Sequence, residues 1–474
     1  MKYAYLFLLS LLAAPLHAQE LALPGSTDNP ETAVVGQPTG GDALTEALQT
    51  YHIHAQHGQE KEAKEWFDKY LQLKKEQADK GDVTHQRELG LIYRRGDLFL
   101  SPNEEKAVEY LTKAAEAGDA ISAVLLGEHY KASSPEKSQA FYAKAYTIYK
   151  NTAETTTDAT AKAQALEMLG YMEQEGLGTE QNPAAGIAHL EQAGSSWAYE
   201  RLFQTYAKGI GVTPDMPKAL SYARKIADTA ADADKVATAS PNAGQMAWLL
   251  ADSYLNGKNG VDKDEATGEH YLDIADRLNI RNAIYCKGLR LKNAGKNAEA
   301  YTCFNRAASM KMPEAMTHAG IMKLHGAKGV EQDAAIGLAL LHSVASHFSE
   351  DGEWYVGRAP YELALYYDSI GNEELAEEWY SIASDRNVVE AMARRGLSHI
   401  MPGSSAEWSP TLMYRWWKMG SDAGDATCSR YLNIFLWVAI PIILLIVFGI
   451  PILVVHLLNK KAQREEAAKE EQKD

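Results

Sequence analysis

The stretch EYLTKAAEAGDAISA, residues 109–123, decides the fold. An alanine-rich helical run stops at Gly118-Asp119 and another begins at once. Echoes of that joint, ADKGD at 78–82 and SDAGDAT at 421–427, stand near both ends of the chain. Glycine readily takes the left-handed conformation that stops a helix, and an aspartate directly behind it caps the next helix with its carboxylate. Gly81, Gly118 and Gly424 therefore read as joints between helical units. The first two set a unit of about 37 residues, and about nine such units fit between Gly81 and Gly424, a period that belongs to a repeat array.

Internal matches define the unit more closely. Its first helix reads HQRELGLIYRRG at 85–96, SAVLLGEHY at 122–130, QALEMLGYMEQEG at 164–176 and MAWLLADSYLNG at 246–257. A small residue (Gly90, Gly127, Gly170, Ala251) follows an apolar one, and Tyr93, Tyr130 and Tyr254 stand three positions later. Mid-helix glycine costs about 1 kcal/mol against alanine, so its recurrence predicts a close helix approach, with an aromatic of the neighbouring helix lying against the bare backbone. The second helix reads EKAVEYLTKAAEAGD at 105–119, PAAGIAHLEQAG at 183–194, MPKALSYARKIAD at 216–228 and LMYRWWKMGSDAGD at 412–425. Its alanine and aromatic positions share one face, with Lys and Glu opposite; Trp416 and Trp417 occupy aromatic positions of this pattern and read as core packing.

The pattern LG-x2-Y, a G-x-GV turn as at Gly209–Val212, and KA-x3-Y-x2-KAAE-x-GDA together resemble the Sel-1-like repeat, a relative of the tetratricopeptide repeat. The likeness covers most of 43–425, is strong at 84–119, 163–228 and 412–427, and is weaker at 43–80, 282–313 and 350–390. The resemblance implies an all-α, right-handed superhelical solenoid of about ten antiparallel helix pairs whose concave face binds proteins. The inserts at 150–162 and 227–244 break the period and are expected as loops or extended helix ends. Independently of the resemblance, a helix pair buries one side and must stack on its neighbours, leaving long exposed faces.

The ends of the chain set its topology. Residues 1–18, with Lys2, an apolar run and a small residue at Ala18, read as a cleaved signal peptide. Residues 19–42 read as a flexible leader and 43–427 as the repeat solenoid. Residues 434–458 contain no Asp, Glu, Lys or Arg and exceed the about 20 residues that cross a bilayer; they read as a transmembrane helix, entered through a short stalk at 426–433. Tyr431 and Trp437 suit the membrane interface, and Lys460 and Lys461 at the start of the tail, 459–474, place the C-terminus in the cytoplasm. Pro441, Gly449 and Pro451 mark a place for a kink that mates with a partner helix, and the charged tail is a second candidate for partner binding.

Chemistry is sparse. A net charge of −16 offers no footprint for a phosphate backbone, so nucleic acid is not expected as a partner. Gly176-x-Gly178 and Gly209-x-Gly211 lack the strand and the following residues of a phosphate loop. His54 and His57 share a helical face and are weak metal candidates without the third ligand that a site needs. Three cysteines cannot staple a chain this long; Cys286 and Cys303 lie symmetrically about the turn at 293–296 and are candidates for a disulfide across a hairpin. No catalytic motif and no cofactor site is read. The expectation is a non-enzymatic scaffold binding protein partners outside the inner membrane of a bacterium, its bulk in the periplasm. Two alternatives stand beside it: an adaptor in the ER membrane resembling the Sel-1-like subunit of the degradation ligase, and an envelope regulator acting through a metal site or insert loop. The chain has no N-x-S/T sequon, which points away from the ER lumen.

Overall fold

A computed structural model describes residues 43–470 apart from 233, 235–238, 348–352 and 402–407, with side chains placed as far as 464. The signal peptide, the leader and residues 471–474 of the tail lie outside the described residues. Those described form no strand, only two isolated bridges, Asp97 with Leu100 and Ala327 with Val330, inside turns. The chain divides after Leu278 into two compact units. The first holds six antiparallel helix pairs, from Ala43–Gln56 with Glu60–Asp79 to Ala243–Asn256 with Glu265–Arg277. Four pairs form the second, from Arg281–Asn293 with Asn297–Ser309 to Val389–Ser398 with Pro410–Asp422. The architecture is an all-α repeat solenoid.

The joints follow from local chemistry. Gly81, Gly118 and Gly424 have φ of 93°, 100° and 92°. The aspartate after each caps the next helix: Asp82 accepts from the His85 amide at 2.9 Å, Asp119 from Ser122 at 2.8 Å and Asp425 from Cys428 at 2.5 Å. Asp119 also accepts from Arg87 Nη1 at 2.7 Å, tying the joint to the preceding repeat. At three other joints, all after Leu278, the same turn is built from other residues. Asn279, Lys311 and Asn387 take the left-handed position, at φ of 57°, 58° and 62°, and Ile280, Met312 and Val388 stand where the capping aspartate would be, without a side-chain cap.

Within a pair, the glycines allow the close approach that their recurrence predicts. A Cβ on Gly127 would fall 2.7 Å from the Tyr142 ring and one on Gly288 2.8 Å from Phe304, whereas at Gly90, Gly170 and Gly320 the neighbour is leucine: Leu111 at 2.6 Å, Leu190 at 2.6 Å and Leu341 at 2.9 Å. The aromatic expectation thus holds for some pairs and yields to leucine in others, because either side chain fills a groove one residue wide. Between repeats, Gly178, Gly211 and Gly260 seat the turn inside one pair against the second helix of the pair before it. Their missing side chains make room for the Tyr142–Ala143 backbone, for Pro183 and for Pro217.

The insert at 150–162 is helical at both ends, lengthening Pro135–Thr155 and starting Ala159–Glu175. At 227–244 a helical turn, Asp228–Ala230, precedes the described restart at Ala243. The expected stalk at 426–433 is also helix. Asp425 caps it, Cys428 and Leu432 are buried in the last repeat, and it runs without a break into the apolar segment as one helix, Ala426–Arg464. The segment begins as the first helix of a further repeat, which is why it folds where a linker was expected. Wide π-type turns at Phe435–Ala439 and Leu445–Gly449 precede Pro441 and Pro451 and carry the helix through both prolines, which would otherwise break it.

Gly178 and Gly118 separate the two uses of glycine. Gly118→Ala, with φ of 100° and nothing within 4 Å, should cost about 1 kcal/mol from backbone strain alone. Gly178→Ala adds a collision with another repeat's backbone and should cost about 3 kcal/mol or more; urea unfolding followed by helical circular dichroism compares the two.

Candidate functional site

The repeat's tyrosine is held between two side chains of the second helix. Tyr93 stacks on Tyr110 at 5.8 Å with Lys106 Nζ 5.2 Å from its ring. Tyr130 stacks on Phe141 at 5.8 Å with Lys137 at 5.2 Å, and Tyr206 on Tyr222 at 5.8 Å with Lys218 at 4.2 Å. Lysine and aromatic stand four residues apart on one helical face, so each clamp comes from a single turn of helix closing on one ring. Burial, with the Glu191 carboxylate accepting the phenol at 2.5 Å, pushes the Tyr222 hydroxyl up from its ordinary pKa. Tyr254 departs from the pattern: its hydroxyl accepts from Arg224 of the preceding pair at 2.9 Å.

Beside the first clamp opens a cavity of about 390 Å³ lined by Arg94, Pro102, Glu104, Ala107, Val108, Leu111, Leu125 and His129. Val83–Arg95, Glu104–Glu116 and Ala120–Tyr130 contribute to it. Val108, Leu111 and Leu125 supply apolar surface; Arg94 and the Glu104–His129 pair, 3.3 Å apart, supply charge. A pocket of this make-up suits an apolar side chain carried on a peptide with a polar neighbour.

The other expected residues fall apart as a site. His54 Nδ1 meets Gln59 Oε1 at 2.6 Å and His57 Nδ1 meets the Ile53 carbonyl at 2.7 Å; among the described residues no three potential ligands converge on a metal position. Cys286 and Cys303 are not joined by a disulfide. Cys303 packs against Gly288, whose Cβ would lie 3.1 Å from that of Cys303. Cys286 precedes Gly288 by two residues, roughly 200° around the helix, so equal height does not bring the sulfurs face to face. Gly176 and Gly209 are left-handed helix stops. Trp417 is buried, its indole N–H donating to the Ala393 carbonyl at 3.2 Å, and Trp416 packs at the edge of the same cluster. Tyr431 lies 5.3 Å from Trp417, and Trp437 is exposed.

Two groupings escaped the sequence reading. The first is a buried polar seam across four consecutive helices, from Pro135–Thr155 to Ser196–Lys208. Glu173 accepts from Tyr146 at 2.9 Å and meets His189 at 2.7 Å; the Gln174 side chain accepts from Arg201 Nε at 2.7 Å and donates to Thr205 at 3.0 Å. Satisfied on all these sides, the seam fixes how the helices sit together. The second is a ring of aromatics around His318, with centroids of Phe304 at 4.8 Å, Trp354 at 4.9 Å and Tyr285 at 5.9 Å. Burial, helped by Lys292, lowers the His318 pKa to about 4. Its members come from four helices, so no local motif announces it; the only hint is a histidine on the apolar face of Pro313–His325.

The Sel1 repeat family model matches residues 86–119, 163–196, 198–228, 245–275, 313–346 and 357–388. Residues 412–427 are outside the matched segments, and so is 282–313, where the likeness is weaker. No curated protein matches the chain. Among solved structures, a protective antigen of uropathogenic Escherichia coli with an SLR fold is 20% identical, over 77% of this chain and 82% of that one, at a TM-score of 0.43. A Sel1 repeat protein from Oxalobacter formigenes is 19% identical over 77% and 89%, at 0.36.

The His318 site predicts a pH effect of definite sign. An unfolded histidine takes up a proton near pH 6.5, whereas the folded site refuses it until about pH 4. The stability this group contributes is therefore full above pH 6.5, falls by on the order of 3 kcal/mol as pH drops from 6.5 to 4, and falls no further below that. Denaturant unfolding at stepped pH should show that slope, and His318→Gln should flatten it.

Proposed function

The chain is a Sel1-repeat protein, and from that premise we propose that it serves as a membrane-anchored, non-enzymatic scaffold, holding protein partners on its helical array outside the cytoplasmic membrane of a bacterium. One observation carries this reading. The helix Ala426–Arg464 contains a window of mean hydropathy 3.1 with none of it buried, so that Leu445, Phe448 and Leu453 stand more than half exposed. An apolar face of that extent belongs in lipid or against a partner, and its length suits a bilayer. Lys460 and Lys461 behind it and the apolar N-terminal segment support an exported array with a cytoplasmic tail. The repeat surface supports the scaffold: its exposed faces run over many pairs. The cavity beside the Tyr93 clamp is a candidate anchor point for a partner's side chain.

Reporter fusions test the topology. Alkaline phosphatase joined after residue 425, preceded by the native N-terminus, should be active in a bacterial host, and green fluorescent protein joined after residue 474 should fluoresce. The reverse pattern would sink the proposed orientation. A photo-reactive residue in place of Arg94 should capture a protein partner in vivo, and Leu125→Arg, which fills the cavity with charge, should reduce that capture at least tenfold.

A further inference from the structure

The last repeat ends beside the apolar helix in a register that can be read residue by residue. Pro410–Asp422 and the helix that begins at Ala426 run antiparallel around the joint at Gly424. Ser421 Oγ lies 2.9 Å from Ser429 Oγ, and the Trp417 ring 5.3 Å from that of Tyr431. Each step back along the first helix is matched by a step forward along the second, so Pro410 comes level with about Val438. Ser409 lies at the same end, its amide donating to the His399 carbonyl at 2.8 Å, and Leu397, Ile400, Phe435 and Leu436 pack on one cluster. The side chains that leave that cluster are large and apolar. Met401 is 46% exposed, Trp408 71% and Trp437 77%.

We infer that this end of the last repeat is a second membrane contact, in which Met401 and Trp408 sit in the headgroup region of the bilayer that the C-terminal helix crosses. The inference rests on the membrane reading of that helix and adds the orientation of the array to it. If Trp437 marks the interface, the antiparallel register places Trp408 at the same depth or slightly beyond, with no room for a water layer between repeat and lipid. Trp is suited to this level, since its ring is apolar and its indole N–H still reaches headgroup oxygens. The contact ends after one repeat: at the next turn back, Ile370 is exposed, but Glu373 and Glu374 follow it, also exposed, and carboxylates oppose burial at that depth. The opposite end, at Ala423, lies about one 13-residue helix away, roughly 20 Å, and should stay in water.

Spin labels on the full chain in phosphatidylcholine–phosphatidylglycerol vesicles test this. Labels are attached through Trp408→Cys, Trp437→Cys or Ala423→Cys in a Cys286→Ser background; Cys303 and Cys428 are buried. Expected is faster collision with oxygen than with a water-soluble nickel complex at 437 and at 408, and the reverse at 423. Lipid exposure at 437 with water exposure at 408 overturns the contact and leaves the span standing. Water exposure at 437 overturns the span reading, and the contact with it.

Discussion

Two helices of a pair come this close only because one of them gives up a side chain where they meet. Gly90, Gly127, Gly170 and Gly320 each make a groove one residue wide, and a leucine or an aromatic of the second helix fills it. In two pairs the device is doubled. Gly170 faces the Gly186 carbonyl and Gly186 the Gly170 carbonyl, with would-be Cβ contacts of 2.7 and 2.6 Å; Gly320 and Gly337 do the same at 3.3 and 2.9 Å. Close contact fixes the height of one helix against the other, and after Gly90 and Gly127 that height brings Tyr93 and Tyr130, three residues later, into their clamps of aromatic and lysine. Stacking of pair on pair then depends on the turn glycines, which fit only when the pairs themselves are in register.

The joints show how much of this was legible in the sequence, and where legibility ended. At the joints 81–82, 118–119 and 424–425, where glycine is followed by aspartate, residue identity and backbone conformation coincide, and the unit length follows. At 279–280, 311–312 and 387–388 the same turn is made with Asn-Ile, Lys-Met and Asn-Val. Asparagine tolerates the left-handed region and lysine is held there by its surroundings, so the backbone repeats while the letters change. Tertiary packing overrode local preference at those positions, which is why the array looked weaker in its second half than it is. At SDAGDAT the joint does what the others do, and the stalk at 426–433 is a helix capped by Asp425.

The candidate site was far less legible than the fold. Residues whose role is packing recur with the period and can be recognised by counting. Cys286 and Cys303 matched in height around their turn, but height is one coordinate of two, and the rotation set by Gly288 lies outside any count of residues. The His318 ring and the Glu173–Gln174 seam each draw on four helices, so neither leaves a pattern within one helix. The cavity lined by Arg94, Val108 and Leu125 is likewise assembled from three helices, each of which reads as an ordinary member of the series.

The unbroken helix Ala426–Arg464 has one further consequence. Over 39 residues it is about 58 Å long, its first turns are keyed into the last repeat through Cys428 and Leu432, and wide turns carry it past both prolines. Backbone hydrogen bonds tie turn to turn along it, except where Pro441 and Pro451 offer no N–H. One backbone thus joins the buried Cys428 and Leu432 to Lys460 and Arg464 at the far end of the helix, with no loop between them.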